Sequence, residues 1–170
     1  MIYKCIGVIL IIAACGGFGW MIAAAYRKEI VTLRQMISSL DFMECELQYN
    51  MTPLPQLCRQ TAAESKGVVR TLFYKLCLEL ENQMAPNVEQ CVKAVLADTR
   101  DAPRETVNIF TLLGSTLGRF DADGQLRGLE AARKEARRKL DAISKNQTER
   151  TRSYKTLALC AGAAVAILLI

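Results

Sequence analysis

The side chains that could perform acid–base or nucleophilic chemistry are few in this chain, and their spacing is unfavourable. There is no histidine, so neither a Ser–His nor a Cys–His nucleophile can form. The carboxylate pairs Glu44/Glu46 and Glu79/Glu81 are each two residues apart, and residues with that spacing do not face each other on a helix. The sequence therefore predicts no catalytic residues and no enzymatic activity.

Patterns that bind metals or nucleotides are also missing. The segment Asp121-Ala122-Asp123-Gly124 is similar to the start of a calcium loop, but the last ligand position of such a loop, which requires Glu, is occupied by Ala132. We interpret the segment as a turn. The chain contains neither G-x-x-x-x-G-K nor G-x-G-x-x-G, the glycine-rich patterns that hold phosphates. We therefore expect no metal and no cofactor.

The cysteines do not form a metal-binding or disulfide pattern. Their number is odd, and no two of them stand in a C-x-x-C arrangement. We expect reduced thiols that fill apolar helix faces in a reducing compartment. The seven cysteines are Cys5, Cys15, Cys45, Cys58, Cys77, Cys91 and Cys160.

Two uncharged apolar stretches lie at the ends of the chain and predict membrane spans. Cys5–Ala25 contains 21 residues without a charge, and Thr156–Ile170 contains 15. A bilayer core needs roughly 20 apolar helical residues to be crossed. We predict transmembrane helices over 1–25 and 156–170. Two alternatives stay open, namely a cleaved signal peptide at the first stretch and a C-terminal helix that only dips into the bilayer.

The basic residues predict the orientation of the domain between the two stretches. Outside the predicted hairpin there is only Lys4. By the positive-inside rule, residues 26–155 face the cytoplasm. The basic residues that flank the spans on this side are Arg27, Lys28, Arg34, Lys145, Arg150, Arg152 and Lys155.

Apolar residues in the middle of the chain recur with helical spacing, which predicts an all-α bundle of about six helices. The first stripe consists of Ile30, Leu33, Ile37, Leu40 and Leu47. The first helix is predicted to end near residue 49, and Thr52-Pro53 supplies the N-cap and first residue of the second helix, which ends at a break at Lys66-Gly67. The third helix follows this break, the capping pair Asn87/Gln90 starts the fourth, and Asp101-Ala102-Pro103 starts the fifth. A turn over Gly118–Gly124 then leads to a sixth helix over about 126–146.

The sixth predicted helix carries the densest basic cluster. Residues 127–155 contain ten basic and four acidic side chains. This segment either meets an acidic partner or anionic lipid headgroups, or forms a solvated face with Glu130–Lys134 and Glu135–Lys139 pairs. The net charge of the whole chain is only +5, so we expect no nucleic-acid binding.

Two segments carry a resemblance to a known family. The first reads Glu46-Leu47-Gln48-Tyr49-Asn50-Met51-Thr52-Pro53-Leu54, and the second reads Leu113-Gly114-Ser115-Thr116-Leu117-Gly118. They resemble the stage III sporulation protein AB family of endospore-forming bacteria, over essentially the whole chain. That family usually has Glu where this chain has Ser115.

The family is in turn similar to the helical cytoplasmic domains of the type II secretion and type IV pilus platform protein. The resemblance implies a non-enzymatic platform in the mother-cell membrane around the forespore, in contact with a secretion-type ATPase and other stage III sporulation channel proteins. A homo-oligomer is compatible with this role. The alternative is a membrane-anchored sensor or regulatory scaffold unrelated to sporulation. The predicted partner-binding residues are Tyr49, Thr52, Pro53, Leu54, Gly114, Ser115, Gly118, Asp121 and Asp123.

Overall fold

The computed structural model describes residues 2–82, 87–117 and 123–145, with side chains for residue 24 and from residue 26 onward. Within these residues the chain forms six helices and no strand, which confirms the prediction of an all-α fold. The helices are α1 (Ile2–Asn50), α2 (Leu54–Glu64), α3 (Gly67–Glu81), α4 (Val88–Asp98), α5 (Arg104–Thr116) and α6 (123–145).

The predicted membrane spans stay predictions. Among the described residues, no helix is both long enough and apolar enough to traverse a bilayer. The predicted span 156–170 lies outside the described residues, as do nearly all side chains of the predicted span 1–25. The chain divides into two compact units, one of which is residues 29–141. All contacts described below lie within that unit.

The buried stripe of α1 differs in one respect from the predicted one. Leu33, Met36, Leu40 and Met43 are completely buried, whereas Ile37 is only half-buried. The alternating spacing of three and four residues is that of a helix packed against neighbours on one seam. Methionine is unbranched and polarisable, so it fills irregular gaps between helices. Met36 is buried in place of the predicted Ile37, and Met43 is buried between Leu40 and Leu47, where the prediction named no residue.

The turn between α2 and α3 is attached to α1. The Ser39 and Ser65 hydroxyls are 2.7 Å apart and buried, and the Lys66 backbone N–H donates to Gln35 Oε1 at 3.1 Å. Gly67 has φ +57°, a left-handed conformation that glycine adopts without steric cost. The predicted break at Lys66-Gly67 is thus confirmed. It lies between α2 and α3 and lets α3 fold back against α2, while the bonds to Ser39 and Gln35 hold this turn on α1.

Helices α3, α4 and α5 pack in sequence around an aromatic contact. The rings of Phe73 and Phe110 meet edge to face, with centroids 5.4 Å apart, which is a favoured geometry for aromatic pairs. The side chain of Asn87 accepts from the Gln90 backbone N–H at 2.9 Å, so the predicted cap of α4 is confirmed. Pro103 directly precedes α5, as predicted.

Helix α6 runs antiparallel to α1, and the two are joined by ion pairs that we call the α1–α6 cluster. Arg133 lies 3.0 Å from Asp41 and 2.7 Å from Glu44, and Arg137 lies 3.7 Å from Asp41. The basic run is therefore partly used inside the bundle. Its side chains also pair differently from the prediction, because the ion pairs formed are Arg138–Glu135 and Lys139–Glu105.

Candidate interaction surface

The connection between α1 and α2, residues 46–54, is held by one carboxylate, and we call it the α1–α2 corner. Asn50 Nδ2 donates to Glu46 Oε2 at 3.0 Å, and Thr52 Oγ1 donates to the same oxygen at 3.1 Å. Between these two donors, Met51 has φ +50°, a left-handed conformation that costs energy for any residue with a Cβ. Charge-assisted hydrogen bonds from both sides hold the chain in this tight reversal.

The role predicted for Thr52 is wrong by one residue. Pro53 occupies the N-cap position of α2 without a side-chain cap, and its carbonyl accepts from the Leu57 backbone N–H at 2.9 Å. Thr52 is buried and gives its hydroxyl proton to Glu46. The carboxylate competes successfully because a charged acceptor forms a stronger hydrogen bond than a helix N–H forms with a neutral hydroxyl.

The corner exposes large apolar side chains. Tyr49 is 77% exposed and Met51 is 76% exposed, far more than most large apolar side chains of the described residues. Pro53 is also exposed, and Leu54 is half-buried. The predicted contact residues therefore divide into two groups, since Tyr49 and Pro53 face solvent whereas Thr52 supports them from inside.

The second predicted segment is mainly a packing feature. Gly114 is buried in α5, and a Cβ at this position would lie 2.7 Å from Cγ2 and 2.8 Å from Cβ of Val92 in α4. The glycine thus permits the close approach of α4 and α5. Ser115 is half-buried, and its hydroxyl donates to the Leu112 carbonyl at 2.7 Å.

The other members of this segment are placed only in part. Gly118 and Asp121 lie outside the described residues. Asp123 is exposed and is the first described residue of α6, so its side chain is available to solvent. The predicted turn over Gly118–Gly124 is therefore wrong at its last two residues, which are helical, and its other residues lie outside the described ones.

The two predicted segments lie at the same end of the bundle. Arg133 contacts Glu44, and a Cβ on Gly128, five residues before Arg133, would touch Thr116 at the end of α5. Tyr49 lies five residues after Glu44. Because α1 and α6 are antiparallel, the five residues from Glu44 to Tyr49 and the five residues from Arg133 back to Gly128 run in the same direction, each over about 7.5 Å. The end of α5 and the α1–α2 corner are therefore at similar heights.

Three of the cysteines of the described residues are buried thiols with raised pKa values. Burial raises the pKa of the thiols of Cys58, Cys77 and Cys91, which keeps them in the neutral, unreactive form. These three are buried, as expected, whereas Cys45 is exposed. No group of His, Cys, Asp or Glu within the described ranges is arranged to hold a metal ion.

Sequence reasoning missed two residues that shape the corner, Glu46 and Met51. Glu46 is the acceptor for the side chains of both Asn50 and Thr52. Among the large apolar side chains that the structure describes, Met51 is the most exposed after Tyr49. The spacing of Glu46 and Asn50 indicated one of these hydrogen bonds, because side chains four residues apart on a helix are within reach of each other. Nothing in the sequence indicated a left-handed methionine, a conformation that Asn and Gly adopt far more readily.

Comparison with known proteins agrees with this fold. Residues 4–170 match the sequence profile of the family described as stage III sporulation protein AB (spore_III_AB). The stage III sporulation protein AB of Bacillus subtilis (strain 168) is 25% identical over 169 residues, which are 98% of this chain and 98% of that protein. A solved structure of stage III sporulation protein AB (SpoIIIAB) superimposes with a TM-score of 0.62 and 22% identity, over 72% of this chain and 98% of that chain. Since the profile covers nearly the whole sequence, the chain belongs to the stage III sporulation protein AB family, a family of sporulation proteins.

Proposed function

We propose that this protein is a non-enzymatic membrane platform of the channel complex between mother cell and forespore, and that its α1–α2 corner docks the secretion-type ATPase of that complex. The observation that carries the proposal is the exposure of Tyr49 and Met51 on a turn that is held by hydrogen bonds to Glu46. Membership of a sporulation family argues against a scaffold unrelated to sporulation.

The corner has the physical properties of a docking site. Aromatic side chains dominate the energy of protein interfaces, and methionine adapts its shape to a partner surface. The hydrogen bonds from Asn50 and Thr52 to Glu46 fix the backbone between them. Such preorganisation reduces the entropy that must be lost on binding. A partner therefore meets an apolar projection that is already in its bound conformation.

The proposed location is the mother-cell membrane around the forespore, with the helical domain in the mother-cell cytoplasm. Support comes from the uncharged stretches Cys5–Ala25 and Thr156–Ile170 and from the basic residues between them. Two anchors would fix both the orientation and the depth of the bundle. A soluble ATPase could then be held at a defined place against the membrane assembly.

The docking proposal is tested by capture of the ATPase on the tagged full-length chain. The double variant Tyr49→Ala/Met51→Ala should reduce the captured ATPase at least tenfold, because loss of a central aromatic anchor costs about 2 kcal/mol or more. Val31→Ala is the matched control, since Val31 is also an exposed apolar side chain of α1, at 54%. Equal capture by the double variant and the control would refute docking at the corner.

The membrane proposal needs a separate measurement. Reporter fusions at residue 1, within 51–53 and after residue 170 should report both termini outside the mother-cell cytoplasm and the middle inside it. A middle reporter that is active on the opposite side would refute the orientation, and it would do so independently of the capture experiment.

A further inference from the structure

Helix α3 has an exposed face with a charged side chain towards each end and apolar side chains at its centre. Its exposed residues are Gly67, Arg70, Thr71, Tyr74, Leu78 and Glu81. At 3.6 residues per turn they fall within an arc of about 100°, so they form one continuous surface. Tyr74 is 55% exposed and Leu78 is 39% exposed. They lie one turn apart, so the centre of this exposed face is apolar.

The charges on this face are arranged symmetrically about the apolar pair. Arg70 lies four residues before Tyr74, and Glu81 lies three residues after Leu78. The midpoint of the charged pair and the midpoint of the apolar pair differ by about half a residue, which is under ~1 Å along the helix. A single two-fold axis perpendicular to the helix would therefore place Tyr74 of one copy on Leu78 of the other, and Arg70 of one copy beside Glu81 of the other.

We propose that α3 is the self-association surface of this protein and that its partner is the antiparallel α3 of a second copy. An isologous contact requires a surface that is complementary to itself, and this face satisfies the requirement in both its apolar and its charged parts. Arg70 makes no ion pair with any described residue, so its guanidinium is available. Glu81 already binds Arg59, with Arg59 Nη2 at 2.6 Å from Glu81 Oε1, and an exposed carboxylate can accept from a second guanidinium.

The contact is small, and weak association is expected. One helix face contributes far fewer than the ~20–30 residues a side of a standard interface. Site-directed crosslinking of the full-length chain in detergent detects such a contact. One chain carries Tyr74→Cys and another carries Leu78→Cys, both in a background in which the exposed Cys45 and the cysteines of the terminal stretches are serine.

The crosslinking experiment has a defined control and a defined failure. Mixed disulfides between the two chains should form faster than those of a chain with Ala94→Cys, which places a thiol on the exposed surface of α4. If the mixed pair crosslinks no faster than this control, the proposed surface is wrong.

A charge exchange tests the antiparallel register itself. Arg70→Glu on both chains places like charges together, and so does Glu81→Arg on both chains. Arg70→Glu on one chain and Glu81→Arg on the other restores opposite charges at both ends of the contact. Two exposed ion pairs at about 0.5 kcal/mol each correspond to a recovery of about fivefold in crosslinking.

A folding defect in one variant does not affect the comparison of the mixture with each variant alone, because the same two variant chains are present in both. Thermal unfolding of each variant verifies that both are folded. A mixture that crosslinks no faster than either variant alone would exclude the antiparallel pairing, whether or not the chain associates by another surface.

Discussion

The substitution Gly114→Ala tests the conclusion that this glycine exists for packing. Its Cβ would lie 2.7 Å from Cγ2, 2.8 Å from Cβ and 3.1 Å from Cγ1 of Val92. Val92 is 1% exposed, and a β-branched residue in a helix has essentially one rotamer. The valine therefore cannot turn away, and α4 and α5 must separate.

The expected magnitude follows from two opposing effects. Overpacking a core costs about 1–3 kcal/mol, and replacing glycine by alanine within a helix returns about 1 kcal/mol. Because two Val92 atoms would be closer than 3.0 Å, the upper part of the first range applies. We expect a net loss of about 1–2 kcal/mol in the free energy of unfolding, or about 2–8 °C in Tm.

The assay is thermal unfolding of the full-length chain, followed by circular dichroism, with two further variants. Val92→Ala removes both Cγ atoms, so Gly114→Ala should cost less in that background, although the Cβ contact at 2.8 Å remains. Gly67→Ala is the matched control. It is destabilising through its φ of +57° with no atom within 4 Å, and Val92→Ala should not relieve it. A Gly114→Ala variant as stable as the parent would refute the packing argument.

Three further predictions concern single contacts. Thr52→Val removes a donor to Glu46 and should lower the free energy of unfolding by about 1 kcal/mol in a urea titration; no change would show that the corner does not depend on this bond. Maleimide labelling with peptide mapping should modify Cys45 in the folded chain and the three buried thiols only after unfolding, and rapid labelling of a buried thiol would contradict their burial. The Lys75 ammonium, 2.6 Å from the Asp98 carboxylate, holds the pKa of Asp98 below its usual range by hydrogen bonding and by its charge. The pair thus stabilises the fold above the usual pKa of aspartate, and this contribution is lost as the pH falls through the lowered pKa. In Lys75→Met, carboxyl NMR titration should show a raised pKa of Asp98, and an unchanged value would mean that the pair does not form in solution.

Helical periodicity was sufficient to predict the architecture but not the partners of each side chain. The number of helices, the break at Lys66-Gly67 and the cap at Asn87 all follow from local rules and are confirmed. These features depend on backbone conformation and on neighbours within a few residues. Predictions of ion pairs on the sixth helix used the same local spacing and were wrong.

The error for Lys139 has a clear physical cause. Lys139 pairs with Glu105, and Arg133 pairs with Asp41, across helix contacts that a single sequence does not reveal. Glu135 then pairs with Arg138 within α6. The burial of Met36 and the half-exposure of Ile37 have the same origin. Which face of a helix is buried depends on where its neighbours lie, and hydrophobicity alone does not distinguish two adjacent apolar positions.

The two segments that resemble the family contain residues with different physical roles. Glu46, Thr52 and Gly114 hold the frame, through hydrogen bonds in the first two cases and through the absence of a side chain in the third. Tyr49 and Met51 are held outward by that frame. Sequence similarity alone does not separate these roles, because loss of the frame and loss of the contact would impair a platform equally.

Ser115 shows how this separation bears on docking. The resemblance places Glu at this position in the family, and an acidic side chain there would offer a charged contact to a partner. In this chain the Ser115 hydroxyl donates to the Leu112 carbonyl within its own helix, so it offers a partner neither charge nor a free donor. Under the docking proposal, this chain would therefore rely on the apolar corner, without a charged contact at position 115. We therefore expect that, in a Ser115→Glu background, Tyr49→Ala/Met51→Ala reduces the captured ATPase less than it does in the parent chain, because a second contact would contribute to binding. An equal reduction in both backgrounds would contradict a contact at position 115.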